Sequence, residues 1–288
     1  MDIIKSIGDL RKAVRSARSA GRTIGVVPTM GYLHEGHLSL MRRARQENDL
    51  VVATVFVNPT QFGPNEDFDA YPRNTQRDID LMRAENVDIA FMPEADALYP
   101  DGYATYVEVQ GPMTQTLCSA SRPGHFKGVT TIVAKLFHLT AAHRAYFGEK
   151  DAQQVAVIRQ MARDLDFDLE IVACPTVREP DGLAMSSRNS YLSESQRTDA
   201  VVISQALFEA RDMIAAGQTQ ADKVIDHIRT RIVAVAQADI DYLAVVDSNT
   251  LNDLEVLDGS VLIAVAVKFG NTRLIDNLAI DIPTNGGH

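Results

Sequence analysis

Cysteine is scarce: Cys118 and Cys174 are the only two in 288 residues, and they form no C-x-x-C pair. A disulfide framework and a structural zinc are therefore not expected, a reduced compartment is, and either thiol can simply be packed in the core. Long apolar runs are missing too. Met1 is followed by a charged, amphipathic segment without the apolar stretch of a secretory signal, and no run approaches a membrane span, so a cytoplasmic protein with no membrane partner is expected. Positive charge is in deficit, with 28 basic residues against 38 acidic ones and a formal net charge of -10. That balance argues against nucleic acid or an anionic membrane as a general partner, while a local positive pocket stays open. Three motifs are also absent: G-x-x-x-x-G-K-[ST], G-x-G-x-x-G and G-x-S-x-G. P-loop, dinucleotide-dehydrogenase and serine-hydrolase readings lose their usual support.

What is present suffices for a full core and two domains, since 45% of the residues are hydrophobic. The stretch Thr23 to Ala44 opens with a β-branched run, crosses a Pro/Gly/His loop and ends in an amphipathic pattern, which predicts strand, loop, helix. A helix is predicted over residues 2–20, and further strands at Leu50 to Val57, Val87 to Met92, near Ala145 and at Leu169 to Ala173. Helices are expected near Asn74 to Asn86, at Val129 to Thr140 and at Asp151 to Arg163, with loops over 101–127 and 175–189. This alternation predicts an α/β fold, a doubly wound parallel sheet whose ligands bind beyond the carboxyl ends of the strands. After Tyr191 the character changes to two helices (196–216, 219–236) followed by strands at Tyr242 to Val246 and Val261 to Val267. The expected domains are thus 1–177, Rossmann-like, and 178–288, a smaller α+β domain acting as a lid, with Thr284 to His288 as a frayed tail.

Polar residues gather where the predicted strands end. His34 and His37 follow the first strand, beside Gly31 and Gly36, at a helix start that offers unpaired N–H groups and a positive dipole end. A histidine pair there suits polyphosphate, because imidazole can donate to oxygens whose charge grows as pyrophosphate departs. Metal binding is the rival reading, weakened by the lack of an adjoining carboxylate cluster; two packed histidines are the plain one. Lys150 and Arg188, with Ser186 and Ser187, bring two cations and two hydroxyls to a triphosphate, or are merely solvated. Asn58, Gln61 and Gln154 suit the hydroxyls and carboxylate of a small polar substrate, or serve as loop caps. Asp78 is a candidate near magnesium, against the plainer reading of a solvated helical acid.

The residues Pro28-Thr29-Met30-Gly31 and His34-Glu35-Gly36-His37 resemble the H-x-G-H signature of the nucleotidyltransferases related to class I aminoacyl-tRNA synthetases. Phe56 to Phe62, Tyr71-Pro72-Arg73, Arg122-Pro123-Gly124-His125-Phe126, Phe147 to Gln154 and Arg178 to Asn189 resemble, in that order, the pantothenate synthetase family. The resemblance runs from the first helix to Arg273-Leu274-Ile275-Asp276-Asn277. It implies ATP-dependent condensation of (R)-pantoate with β-alanine through a pantoyl adenylate, with magnesium accompanying ATP, no organic prosthetic group, and a homodimer. By motif position it implies that His34, His37, Lys150, Ser186, Ser187 and Arg188 act on the phosphates. It places Met30, Gly36, Gly148, Asp151, Val177 and Met185 around ATP, Met30, Gln61 and Gln154 on pantoate, and Asn58 and Gln61 on the β-alanine side. The alternative is another H-x-G-H nucleotidyltransferase with a different small acceptor. Two departures stand out: Cys118-Ser119 where the family commonly has Glu-Gly after Leu117, and Ala142-His143-Arg144 where it usually has Pro-Asp. No residue suggests itself as the base for the amine of β-alanine.

Overall fold

Short runs rich in Val, Ile and Ala become strands, and the helix-spaced apolar residues between them become the helices that cover them. The computed structural model describes residues 1–64 and 66–283; the tail expected at 284–288 lies outside them. In chain order the elements are β1 (Asp2–Ile4), α1 (Ile7–Ser19), β2 (Ile24–Thr29), α2 (Glu35–Glu47), β3 (Leu50–Val55), α3 (Thr75–Ala84), β4 (Ile89–Phe91), α4 (Ala95–Leu98), α5 (Cys118–Ser121), α6 (His125–Thr140) and β5 (Arg144–Gly148). They continue with α7 (Ala152–Asp164), β6 (Glu170–Cys174), α8 (Glu194–Asp199), α9 (Val202–Ala215), α10 (Ala221–Val233), β7 (Ala238–Asp247), β8 (Gly259–Phe269) and β9 (Thr272–Ile282). Two compact units emerge: Met1–Val109 with Arg122–Glu149 and Val157–Pro175, and Gln110–Ser121 with Lys150–Ala156 and everything from Thr176 on.

The first unit holds a six-stranded sheet in the order β1-β4-β3-β2-β5-β6, parallel at every pairing. From central β2 the chain winds outward through β3 and β4, then returns to add β5 and β6 on the other side. The reversal between β2 and β5 is the switch point at which open α/β sheets bind ligands. On one face Val27, Val51 and Ala53 pack against Leu38, Met41 and Ala44 of α2 and Ile79 and Met82 of α3. The alternate residues Val26 and Val52, also buried, point to the opposite side. There α1 and α6 touch each other and β2.

One expected element is corrected. The helix predicted over 2–20 starts only at Ile7, capped by Ser6, whose hydroxyl accepts from Asp9 N–H at 3.1 Å. Residues 2–4 instead pair with β4, Asp2 beside Ile89 and Ile4 beside Phe91. Ile3 and Ile4 suit either period, and the open edge of β4 decides between them.

In the second unit β7, β8 and β9 form an antiparallel sheet; the eleven-residue β9 was not among the predicted strands. Central β8 is apolar on both faces. Val261, Ile263, Val265 and Val267 pack with Ile203 and Leu207 of α9 and Val224 and Ile228 of α10. Leu262 and Ala264 face the other way and pack with Leu117, Met113 and Ala152. That second face is why residues 110–121 and 150–156 group with this unit, whereas the expected boundary at 177 assigns them to the first domain.

Candidate active site

At the end of β2, Thr29 Oγ1 donates to Thr54 O (2.6 Å) and accepts from Gly31 N–H (3.2 Å), so the strand closes onto its neighbour as the chain turns. The turn needs left-handed backbone at Gly31 (φ +84°) and Tyr32 (φ +50°). A side chain at Gly31 is excluded twice over, because a Cβ there would meet Val55 Cγ1 at 2.8 Å and Asp78 Oδ2 at 3.0 Å. Asp78, in the first turn of α3, accepts from Tyr32 N–H and Leu33 N–H, each at 2.8 Å, and is 1% exposed. Burial raises its pKa despite the two N–H donors. Its two oxygens therefore pin the loop that carries the histidines, and the buried carboxylate is not the solvated helical acid of the plainer reading. Among the described residues no group of three His, Cys, Asp or Glu side chains is arranged to hold a metal ion.

The pinned loop delivers His34 as the N-cap of α2. His34 Nδ1 accepts from Gly36 N–H (3.2 Å), and His37 Nδ1 accepts from His34 N–H (3.3 Å). The two rings lie with centroids 4.0 Å apart, tilted by 42°. Two histidines thus perform a capping box, work usually done by Ser and Glu. Both Nδ1 atoms act as acceptors, so each neutral ring carries its proton on Nε2. The nearby acid is neutralised: Glu35 pairs with Arg42, which also binds Glu85 at 2.7 Å, and the Arg42 hydrogen bond holds the Glu35 carboxyl below its usual range.

Beyond β3, Gln61 closes the 3-10 turn Pro59–Gln61. Its Oε1 accepts from Asn58 Nδ2 (3.0 Å) and its Nε2 donates to Met30 Sδ (3.3 Å), which fixes which way the amide faces. A thioether is a weak acceptor, so a substrate oxygen competes well for that N–H. Asn58 is itself saturated: Nδ2 also reaches Gly128 O (3.1 Å), Oδ1 accepts from Tyr99 Oη and Thr60 Oγ1 (2.9 Å each), and the residue is 1% exposed. Its bond to Oε1 helps to orient the Gln61 amide.

Two residues quoted in a motif but given no role also hold this turn. His125 Nδ1 lies 2.8 Å from Gln61 O, and Arg122 donates to the same carbonyl (3.3 Å) and pairs with Glu66. The R-P-G-H-F run was their only signal. Gly128 in α6 is a third, since a Cβ there would lie 2.2 Å from Thr60 O. Gly148 ends β5 with open space where a Cβ would project. The β2, β3 and β5 ends, neighbours in the sheet, thus bring His34, His37, Met30, Gln61 and Gly148 to one edge.

The other expected residues belong to the second unit. A hairpin forms over 177–185, with Met185 N–H donating to Val177 O (3.0 Å) and the turn made by Gly182 (φ +98°). It leads into Ser186, the N-cap of the 3-10 turn Ser187–Tyr191, whose hydroxyl accepts from Arg188 N–H (3.2 Å). Lys150, Ser186, Asn189 and Asp276 line one recess with Leu183 and Ile203. Lys150 makes no ion pair among the described residues. Gln154 lies half-buried in α7, whereas its neighbour Gln153 is consumed structurally, bonding Cys118 N–H, Met113 O and Thr116 O.

Both sequence departures are absorbed locally. Cys118 starts α5 with its thiol 3.3 Å from Tyr242 Oη, and His143 ties β5 to β2 by accepting from Ile24 N–H at 2.9 Å and donating from its backbone to Ile24 O at 2.8 Å. Both cysteines are buried free thiols.

A doubly wound parallel sheet, with two histidines capping the helix after its central strand, defines an α/β protein whose polar site lies at the carboxyl ends of its strands. The chain also matches the family described as pantoate-beta-alanine ligase over residues 2–279. Pantothenate synthetase of Acetivibrio thermocellus is 56% identical, over 98% of this chain and all of that protein. Crystal structures agree: that of pantothenate synthetase from Thermus thermophilus has a TM-score of 0.93 at 47% identity, covering 96% of this chain and 99% of that one. The pantoate-beta-alanine ligase from Francisella tularensis, complexed with beta-gamma ATP and beta-alanine, has 0.79 at 35%, covering 96% and 97%. This chain belongs to the pantoate–β-alanine ligase family and is an ATP-dependent ligase.

Proposed function

We propose that the chain joins (R)-pantoate to β-alanine in two steps, with the roles of its residues divided as follows. In the first step a pantoate carboxylate oxygen attacks the α-phosphorus of ATP and pyrophosphate leaves. In the second the β-alanine nitrogen attacks the acyl carbon, AMP leaves and the nitrogen loses a proton. A carboxylate is a poor acyl donor, and adenylation gives it a good leaving group; the protein's work is positioning and charge neutralisation.

The observation that carries this reading is the histidine capping box. With both Nδ1 atoms committed to backbone donors, His34 and His37 present Nε2–H groups at the positive end of α2, suited to oxygens that gain charge as pyrophosphate departs. Lys150, Ser186, Ser187 and Arg188 are assigned to the triphosphate, and Gly36, Gly148, Asp151, Val177 and Met185 to the rest of ATP. Gln61, with Met30 beside it, and Gln154 are assigned to pantoate, and Gln61 also to the β-alanine side, with Asn58 acting through it. Magnesium enters as the counter-ion of ATP, and Asp78, with both oxygens occupied, is left out of its binding. The parallel-sheet unit is assigned the catalytic role and residues 178–288, with 110–121 and 150–156 packed on them, that of a lid, in a cytoplasmic homodimer; no helix among the described residues is long and apolar enough to cross a membrane.

The test is exchange of labelled pyrophosphate into ATP without β-alanine. Exchange is expected only when pantoate is added. Exchange without pantoate, or with another acceptor in its place, would favour a different nucleotidyl transfer.

A further inference from the structure

We infer that Asp276 and Asn277 of β9 are a positioning pair for the triphosphate grip, holding Lys150 and the Ser186-to-Arg188 turn in a fixed relation. The inference rests on the phosphate role assigned above to Lys150 and that turn. Neither residue figures in that assignment.

The two side chains are adjacent in sequence and reach different parts of the grip. Asn277, 8% exposed, donates from Nδ2 to the backbone carbonyl of Lys150 at 2.8 Å. Lys150 sits in a short 3-10 turn, Glu149–Asp151, where such a bond fixes the direction in which the lysine leaves the backbone. Asp276, 3% exposed, accepts both guanidinium arms of Arg178, at 2.6 and 3.0 Å, and also Asn277 N–H at 2.8 Å. Arg178 in turn donates to Gly182 O at 3.1 Å and lies 5.0 Å from the Phe208 ring centroid. It thereby ties the Gly182 turn of the hairpin to its base, where Arg178 pairs with Ala184 and Met185 leads into Ser186.

The outer side of the hairpin is tied as well. Arg197 pairs with Glu179 and Asp181, each at 2.8 Å, and Asn189 Nδ2 donates to Glu179 Oε1 and Ala184 O at 3.1 Å. Asp276 and Lys150 line the same recess as Ser186 and Asn189. One β-strand therefore holds both the lysine's backbone and the base of the serine turn. A buried bidentate carboxylate–guanidinium pair is specific in geometry, which suits alignment more than general stabilisation.

The test is a double-mutant cycle on pantoate-dependent pyrophosphate exchange, using Asn277→Ala and the size-conserving Asn277→Leu, each alone and combined with Lys150→Ala. Asn277→Ala or Asn277→Leu alone is expected to reduce exchange about tenfold and to raise the KM for ATP, leaving the KM for pantoate unchanged. In the Lys150→Ala background the same change should cost nothing further. Asp276→Asn, which keeps the shape but loses the charge, should raise the KM for ATP in the same way. A large Lys150→Ala effect to which Asn277→Ala and Asn277→Leu add in full, or equal rises in the KM of both substrates, would overturn the inference alone. Near-normal exchange in Lys150→Ala would strike down the phosphate role of Lys150 and the inference with it.

Discussion

His34 carries two duties on one ring, and they can be separated by substitution. His34→Ala removes both the N-cap acceptor and the Nε2–H donor, so it should cost about 1 kcal/mol in unfolding free energy and slow adenylation about 100-fold or more. His34→Asn keeps a cap acceptor and should regain the stability without the rate. Thermal unfolding beside single-turnover adenylate formation checks both, and near-normal adenylation in the Ala variant would remove the histidine from the chemistry. Asp78 makes the opposite case. Asp78→Asn turns an acceptor toward two N–H groups into a partial donor and should cost about 2 kcal/mol, with the magnesium dependence of exchange unchanged; a shifted magnesium dependence at full stability would restore it to the metal. Glu66 gives a pH signature. Burial alone would raise its pKa, but the hydrogen bond and charge of Arg122 outweigh burial and leave it below the usual 4.5. A depressed carboxylate contributes stability above the unfolded pKa and loses it as pH falls through the folded value. Wild type should therefore exceed Glu66→Gln in stability at neutral pH, with the gap closing as the pH drops below 4.5. A gap that stays constant in acid would mean the ion pair does not hold the Gln61 turn. None of these second duties was legible in sequence, because a capping or pinning bond depends on where the loop folds, and the letters H-E-G-H or D fit several uses.

At the scale of elements, α6 and the Pro59–Gln61 turn show what a helix can conceal. The sequence predicts a buried helix from Val129, yet α6 starts at His125, and at Gly128 within it the Thr60 turn comes too close to leave room for a Cβ. Gly128→Ala should displace that turn, costing about 1–3 kcal/mol as an overpacked contact and raising the pantoate needed for half-maximal exchange. Calorimetry with pantoate titrations checks this; unchanged stability and affinity would show that the turn yields freely. Most strands of the first sheet were readable from their apolar runs, and their alternation with helices predicted a parallel sheet; the strand order came only from the structure. β1 was not readable, since three residues have no period of their own and pair only because β4 leaves an edge. β9 was missed for a related reason: its outer residues alternate with Asp, Asn and Arg, and two of those, Asp276 and Asn277, are buried by partners that lie elsewhere in the chain.

For the whole molecule, the net charge of -10 argued against a general nucleic-acid or anionic-membrane surface. The homodimer proposed above is expected to sediment at twice the mass of one chain; a single-chain mass at micromolar concentration would count against it. The reaction class was determined by the sequence itself, because the histidine junction, the F-G-E-K-D run and the M-S-S-R-N run are local strings whose chemistry travels with their letters. Element types followed from local periodicity in the same way. Only the tertiary structure decided what orients those strings: that the histidines cap their own helix, that Asp78 holds two backbone N–H groups and Asn58 the Gln61 amide, and that segments 110–121 and 150–156 cover the second face of β8. Those assignments depend on burial and on partners distant in sequence, and a polar residue's letter does not say which buried donor or acceptor it will meet.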